Sequence, residues 1–485
     1  MHSKQKYILH FFIILLIKCG YVVFLVLHFN HYLLSDDLLK NAKGDTPTYI
    51  VPIENFIHDG NYGMYMSEYT PFKSTLEPKF YRTIRTPYYG IIYYIFRLIL
   101  PPNAALYLLV ALQLLIEALS IIIFSILVRE LTRKNAGYYI SLFFLTFSAW
   151  VTFYAGDIAT ESLTCSFILI GITCFYFWLK ENKVSLLLMS GLLLGYAILM
   201  KPFLIGFVLF ILLAIVIHKK GIIKAFRPSL LFCLPFMVLL TPWVVRNYVI
   251  TGEAILFSKP MYYPCKKLVI ACGTFLNAWG GDAIWWEGKC KTAGTFFYPS
   301  GENKYCEYEF PDRAFTPDYD LEDLRILRNQ IAIFEEDPTN DSLDIVISKK
   351  FDELTASYIK HRPFQYYVVA PLMRFKNAFV KSGSYFIIPR NLPLQALRIF
   401  QSLLYLIPLT FGALGFLFYG ITRIRKPEYL VLVGLPVSLV SVLILILQLH
   451  EWRYFIYIYP INVLFLTIFF LNRIDWYREK IKTAV

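Results

Sequence analysis

Long apolar runs separated by short polar loops dominate the chain. A helix that crosses a bilayer needs about 20 apolar residues, and ten runs of about this length are visible in the sequence. They lie near residues 7–29, 104–128, 137–155, 161–179, 184–200, 202–218, 229–247, 397–420, 428–448 and 454–472. The first run lacks a small-residue cleavage site, so it predicts an uncleaved anchor. The pattern as a whole predicts an all-α polytopic membrane protein with about ten or more transmembrane helices.

Two long segments that are not continuously apolar interrupt the runs, at roughly 30–103 and 246–396. The first contains "PYYGIIYYIFRLILPP", which is too short and too aromatic for a span and predicts an interfacial helix. The second contains "LEDLRILRNQIAIFEED", whose apolar residues recur at helical spacing and predict a helix on a small extracytoplasmic subdomain of α/β type. The predicted parts are a membrane core over 1–250 that includes the loop 30–103, a subdomain over 251–396, and C-terminal membrane helices over 397–485.

Composition and charge support the membrane assignment and orient the chain. The sequence is 57% hydrophobic, which excludes an ordinary soluble protein. The net charge of +13 is spread over the N-terminus and alternate short loops, which is the positive-inside pattern of a membrane protein and argues against nucleic acid as a partner. Both termini are therefore expected in the cytoplasm, and the two long segments outside, on a bacterial inner or plasma membrane. The basic clusters of the inner side lie at 4–6, 129–134, 180–183, 219–227, 423–426 and 473–482.

Four of the eight cysteines fall in the second external segment, and the other four fall in apolar runs. An oxidising compartment favours one or two disulfides among external cysteines, although the pairing cannot be deduced and free thiols remain an alternative. These cysteines are Cys265, Cys272, Cys290 and Cys306.

Carboxylates stand where the chain is expected to leave the membrane on the outer side. Asp45 precedes Thr-Pro-Thr, so it is either a helix N-cap or a functional group. Glu54 lies on a short amphipathic element that Pro52 is expected to break, and it is expected to face solvent. Asp157 and Glu161 in "FYAGDIATESL" are four residues apart, so on one helix they would share a face. Capping of the following span is the alternative for this pair.

Five cations are expected on the same outer side, against the usual charge asymmetry of membrane proteins. A single one would commonly snorkel to lipid headgroups, but several cations beside carboxylates suit a phosphate-binding site. Transfer of a sugar from a lipid phosphate needs a base for the acceptor hydroxyl and cations for the departing phosphate. An in-line displacement of this kind inverts the anomeric centre. The five cations are Arg82, Arg85, Lys201, Arg246 and Arg453.

The chain resembles the GT-C superfamily of glycosyltransferases that use polyprenyl-phosphate sugars. It is most similar to the bacterial branch related to protein O-mannosyltransferases and the lipid A aminoarabinose transferase. The resemblance rests on "GDTPTYIVPIENF", "RTPYYGIIYYI", "TPWVVRNYVITGEAILFS" and "EWRYFIYIYP", with "GDIATESL" and "MKPFL" in the same layout. It implies a GT-C fold, no cofactor and no metal. The outer loop at 260–390 has no counterpart in this resemblance.

The resemblance also implies roles for individual residues. Asp45 would be the general base, Asp157 or Glu161 the second carboxylate, and the five cations would line the pocket for the lipid phosphate. Family members often carry an acidic pair at the first-loop motif, whereas here a single Asp45 lies between Gly44 and Thr46, with Asp36–Asp37 nearby. Further candidates are Tyr49, Glu54, His450 and Glu451.

Three hypotheses about function follow from these observations. The first is a membrane glycosyltransferase that acts on the extracytoplasmic face, with a polyprenyl-phosphate sugar as donor and a glycan, lipid or protein as acceptor. The second is a flippase or transporter of a lipid-linked glycan, which should carry polar groups or broken helices near mid-membrane. The third is a polymerase or ligase that uses a diphosphate-linked glycan. Because the ionisable residues crowd the outer interface, the middles of the spans are mostly apolar and no repeat is visible, the sequence favours the enzyme.

Overall fold

The computed structural model describes eleven stretches of the chain, which divide into two compact units. The described residues are 3–29, 32–42, 44–65, 80–83, 85–258, 266–281, 292–297, 307–336, 340–380, 392–448 and 451–484. The first unit comprises 1–259, 381–439 and 452–485, and the second comprises 260–380 and 440–451.

Helices make up nearly all of the described chain, as the apolar runs predicted. The α-helices are α1 (Ser3–Phe29), α2 (Leu38–Asn41), α3 (Thr46–Asp59), α4 (Tyr88–Arg97), α5 (Pro102–Thr132), α6 (Asn135–Phe147), α7 (Trp150–Gly156), α8 (Thr160–Glu181), α9 (Val184–Met200), α10 (Ile205–Lys219), α11 (Ile222–Thr251), α12 (Lys266–Ala278), α13 (Ala293–Phe297), α14 (Leu321–Glu336), α15 (Asp341–His361), α16 (Ala370–Val380), α17 (Leu392–Gly415), α18 (Pro427–Val440) and α19 (Tyr459–Ala484). Shorter 3₁₀ segments include Pro202–Leu204 and Trp452–Ile458.

Every one of the ten apolar runs coincides with helix. Among the described residues, eight helical segments are long and apolar enough to cross a membrane. A ninth run is the pair α6 and α7, which is bent by 43° at a short break. The tenth, α9, has 17 residues, close to the length that a bilayer requires. The prediction of an all-α polytopic membrane protein is confirmed.

The break between α6 and α7 is stabilised by buried side chains of two other helices. Gln401 of α17 donates to the carbonyl of Phe147 at 2.9 Å and accepts from the amide of Ala149 at 3.1 Å. Lys18 of α1 donates to the carbonyls of Leu145 and Ser148 at 2.9 and 2.7 Å. A broken helix inside a bilayer is tolerated only where such partners satisfy the released backbone groups. The break is therefore stabilised by the surrounding fold, and α7, which begins after it, ends at Gly156 next to Asp157.

The amphipathic element after the first span is a single 14-residue helix, α3, although Pro52 lies inside it. The prediction that Pro52 would break the element is wrong. A proline removes one backbone hydrogen bond, which costs about 3 kcal/mol, and burial of Tyr49, Ile50 and Ile53 against the core of the first unit opposes that loss.

The second unit is helical in its described part. Its core gathers apolar side chains of α12, α13, α14 and α15, and α14 is the helix predicted from "LEDLRILRNQIAIFEED". In the described part of this unit, β-pairing is limited to an isolated bridge between Thr316 and Tyr319. The two-stranded antiparallel sheet, β1 (Met64–Tyr65) with β2 (Phe80–Tyr81), belongs to the first unit. The prediction of an α/β-type subdomain is therefore wrong for the described residues, because apolar residues at helical spacing fill this core.

Candidate functional site

Asp45 bridges two arginines that come from distant parts of the sequence. Its Oδ1 lies 3.2 Å from Nη2 of Arg85, and its Oδ2 lies 2.9 Å from Nη1 of Arg453. Asp45 holds the N-cap position of α3, but its side chain makes no capping hydrogen bond. The predicted N-cap position is therefore confirmed, but the side chain binds the two arginines instead of capping the helix. The carboxylate joins the first loop to the segment that opens the last span.

The electrostatics of this cluster keep Asp45 ionised. Burial alone would raise the pKa of its carboxyl group, but the positive charges of Arg453, Arg85 and Lys201 outweigh burial and lower the pKa to about 2. A carboxylate with so low a pKa is a strong ligand for cations and a weak base.

Each arginine of the cluster is also held by a group other than Asp45. Arg85 donates from Nε to the hydroxyl of Thr48 at 3.3 Å, and its guanidinium lies 5.0 Å from the ring centroid of Tyr49. Arg453 donates from Nη2 to the hydroxyl of Tyr454 at 3.0 Å. Cation–π and hydrogen-bond contacts of this kind fix the plane of a guanidinium. Tyr49, a predicted candidate, thus lies at the site as a support for Arg85.

Lys201 and Glu161 form a buried ion pair beside this cluster. The Lys201 Nζ lies 2.8 Å from Glu161 Oε1, and the two side chains are only 6% and 1% exposed. The same ammonium lies 5.3 Å from the ring centroid of Tyr454, so it shares that ring with Arg453. A buried carboxylate must be paired in this way, because an unpaired charge at such a depth is costly.

Asp157 and Glu161 do not share one helix, in contrast to the prediction. Helix α7 ends at Gly156, α8 begins at Thr160, and Ile158 between them has a φ of 51°. Positive φ is strained for a β-branched residue, and strain of this kind is concentrated at functional sites. The backbone carbonyl of Asp157 accepts from the hydroxyl of Thr46 at 2.7 Å. The turn therefore lies directly against the start of α3.

Arg246 and Arg82 lie outside the Asp45 cluster. Arg246 donates to the backbone carbonyls of Arg82 and Tyr62, both at 2.9 Å. Its guanidinium lies 5.0 Å from the ring centroids of both Tyr62 and Trp243. The Arg82 side chain is exposed. Arg246 thus anchors the first loop to α11, and its predicted role in binding the lipid phosphate stays a prediction, as does that of Arg82.

Glu54 is buried. The prediction that it faces solvent is therefore wrong. Glu54 accepts from the hydroxyl of Tyr93 and from Nε of Arg97 at 3.0 Å, and His58 Nε2 lies 3.5 Å away. The interaction joins α3 to α4, because its partners Tyr93 and Arg97 lie on α4. Glu54 therefore supports α3, the helix that Asp45 precedes.

The other predicted candidates are only partly described. Glu451 belongs to the second unit, and His450 lies outside the described residues. Cys272 is a buried free thiol, and burial raises the pKa of this thiol. The other three cysteines of the predicted disulfide set, Cys265, Cys290 and Cys306, lie outside the described residues. In the part of the chain that the structure describes, no group of three His, Cys, Asp or Glu residues could hold a metal ion.

Sequence reasoning missed a second buried ion pair, between Lys18 and Glu117. The Nζ and Oε1 atoms are 3.1 Å apart, and the two side chains are 1% and 3% exposed. Glu117 also accepts from the hydroxyl of Thr152 on α7 at 2.8 Å. The signal was a lone lysine and a lone glutamate in the middles of α1 and α5, so the expectation that the spans are apolar in their middles needs this correction.

The fold and these clusters define an integral membrane protein with a charged site where several apolar helices end. The family model described as dolichyl-phosphate-mannose-protein mannosyltransferase matches residues 86–245, about a third of the chain. This match agrees with the predicted resemblance to the GT-C superfamily over this part of the chain. The match includes Glu161 and Lys201, whereas Asp45, Arg85 and Arg453 lie outside it. No curated protein and no solved structure matches the chain.

Proposed function

We propose that the chain transfers a sugar from a polyprenyl-phosphate donor to an acceptor hydroxyl or phosphate on the extracytoplasmic face of its membrane. The observation that carries the proposal is the bridge from Asp45 to Arg85 and Arg453. It places a carboxylate and two cations together, next to the Lys201–Glu161 pair of the matched domain. Acceptor activation needs the carboxylate, and the departing lipid phosphate needs the cations.

Each group has one task in the proposed reaction. The acceptor hydroxyl oxygen forms a bond to the anomeric carbon and gives its proton to Asp45. The bond from the anomeric carbon to the phosphate oxygen breaks, and the lipid phosphate keeps the electron pair. Arg85 and Arg453 bind this phosphate through their planar, charge-assisted donors. Attack from the side opposite the leaving group inverts the anomeric centre.

Two features favour a second candidate function, that of a flippase. They are the buried pair of Lys18 and Glu117 and the broken span α6–α7, since transporters carry such features near mid-membrane. The cavity that these two side chains line has a volume of ≈ 20 Å³. One water molecule fits such a space, whereas a sugar does not. The pair also bonds the backbone and side chains of the α6–α7 break. A supporting role for the broken span explains it better than a path for a glycan.

Transfer from a defined donor panel tests the proposal. The protein in nanodiscs is supplied with radiolabelled polyprenyl-monophosphate sugars, with a diphosphate-linked glycan, and with an envelope lipid and glycan extract as acceptor. Labelled product from a monophosphate donor, with inverted anomeric configuration, is the expected result. Product from the diphosphate-linked glycan alone would establish a polymerase or ligase. Movement of an intact lipid-linked glycan across a vesicle without transfer would establish a flippase.

A further inference from the structure

Asp45 occupies the same two arginines that the proposed function assigns to the phosphate of the donor. The carboxylate gives one oxygen to each guanidinium, at 3.2 and 2.9 Å. In an inverting transfer, the base activates the acceptor on the face of the sugar opposite the leaving group. A carboxylate held against the phosphate-binding arginines is therefore placed for pairing rather than for removal of a proton.

We propose that the carboxylate of Asp45 and the phosphate of the donor compete for Arg85 and Arg453, so that donor binding releases Asp45 to act as the base. This inference rests on the proposed function of the site. It assigns to Asp45 two states, an ion-paired state without donor and a released state with donor, and it predicts ordered binding in which the donor precedes the acceptor.

The supports of the two arginines make such an exchange possible. Thr48 and Tyr49 hold Arg85, and Tyr454 holds Arg453, so both guanidinium groups keep their places when the carboxylate leaves. The Asp45 side chain has no capping bond to α3 that would have to break. The guanidinium groups are also reachable, because the side chains of Arg85 and Arg453 are 38% and 28% exposed.

The charges balance during the exchange and change during the reaction. The phosphodiester of a polyprenyl-phosphate sugar carries one negative charge, as the carboxylate does. After transfer, the lipid monophosphate carries about −1.5 to −2 charges at neutral pH. The arginines therefore bind the leaving phosphate more strongly as the bond breaks, which is what stabilises a transition state.

Release also explains how Asp45 becomes a competent base. Paired with the arginines it has a pKa of about 2, whereas an ordinary aspartate has a pKa of about 3.9. An anion that neutralises Arg85 and Arg453 removes the main cause of this depression. The carboxylate then gains proton affinity only when a sugar is present to be transferred.

Binding of a sugar-free polyprenyl monophosphate to the full-length protein in nanodiscs tests the competition. Asp45→Asn removes the competing charge. Pairing with the cations lowers the pKa of Asp45 from about 3.9 to about 2, and one pKa unit corresponds to a factor of ten. The variant should therefore bind this lipid at least about tenfold more tightly than wild type. Asp45→Glu keeps the charge and should bind like wild type. Asp59→Asn removes an exposed carboxylate at the other end of α3 and should also leave the affinity unchanged.

Equal or weaker binding by Asp45→Asn, in protein that elutes and melts as folded, would overturn the competition. The wild type offers a second readout that needs no variant. A base must be deprotonated, so kcat falls as pH drops through its pKa. With donor saturating, the half-point should lie near the ordinary carboxylate value of about 4. A half-point that stays near 2 would mean that Asp45 is still paired with Arg453, Arg85 and Lys201.

These outcomes are separable from failure of the proposed function. Tighter lipid binding by Asp45→Asn, together with no transfer from any monophosphate sugar by wild type, would uphold the competition and reject the transferase. Transfer by wild type with unchanged lipid affinity in Asp45→Asn would uphold the transferase and reject the competition.

Discussion

Asp45 illustrates how far single residues can be interpreted from a sequence. Its neighbours Gly44, Thr46 and Pro47 mark a helix start, and this local pattern made an N-cap the simplest interpretation. The structure instead pairs it with arginines that are 40 and 408 positions away. Such partners depend on the tertiary fold, so local sequence can nominate the carboxylate but cannot say what it binds.

Lys201 and Glu161 give a prediction at the same scale. Breaking a buried ion pair leaves an uncompensated charge, which costs about 3–5 kcal/mol. Lys201→Met and Glu161→Gln should each lower the thermal unfolding midpoint in detergent markedly. The double variant should lose less than the sum of the two, because it removes both charges.

The exposed pair of Lys183 and Glu181, at 2.6 Å, is the matched control. Exposed pairs contribute about 0–1 kcal/mol, so Lys183→Met should leave the midpoint nearly unchanged. Equal midpoints for Lys201→Met and Lys183→Met would show that the Lys201–Glu161 pair carries no special stability.

Helices were the most predictable elements, and their interruptions the least. Each apolar run became helix because a segment in lipid must satisfy its backbone hydrogen bonds internally, and a helix does so. Pro52 did not interrupt α3, whereas the α6–α7 break occurs in "FSAW", which contains neither proline nor glycine. It depends on Gln401 and Lys18 from other helices, so no local signal in the sequence could locate it.

The contact between α9 and α11 gives a prediction at the element scale. Gly191 and Gly195 are four residues apart, the spacing of small residues that lets membrane helices approach closely. A Cβ on Gly191 would lie 2.1 Å from the carbonyl oxygen of Phe232. Gly191→Ala should therefore force the helices apart and destabilise the protein by about 1–3 kcal/mol, measured as thermal unfolding in detergent.

Gly20→Ala is the control for this substitution. A Cβ at Gly20 of α1 meets nothing within 4 Å, and alanine is the better helix former by up to about 1 kcal/mol. Its unfolding midpoint should stay unchanged or rise. A Gly191→Ala protein as stable as Gly20→Ala would contradict the close packing of α9 on α11.

Over the whole molecule, the distribution of basic residues predicts how the chain is oriented in the membrane. We propose that the basic loops face the cytoplasm. Basic loops on one side place Lys183 in the cytoplasm, and the first long segment with Asp59 outside. Both residues are exposed. In intact cells, a membrane-impermeant maleimide should label Asp59→Cys but should label Lys183→Cys only after lysis, with the unsubstituted chain as background. The reverse pattern would invert the proposed topology.

The two units differ in how well the sequence predicts them. The membrane core follows from hydropathy alone, because lipid allows few structures other than helices. The second unit has no such restriction. Its α/β type was predicted wrongly for the described residues, although one of its helices was predicted, and packing of α12 to α15 forms its core.

Sugar transfer by wild type and Asp45→Asn, measured with the same donor and acceptor extract, tests the role of Asp45 as the base most directly. Loss of a general base typically costs 10²–10⁴-fold in rate. We expect a loss of this size in Asp45→Asn while Asp59→Asn transfers at the wild-type rate, with the polyprenyl phosphate bound by both variants. Full transfer by a folded Asp45→Asn would contradict the assignment of Asp45 as the base.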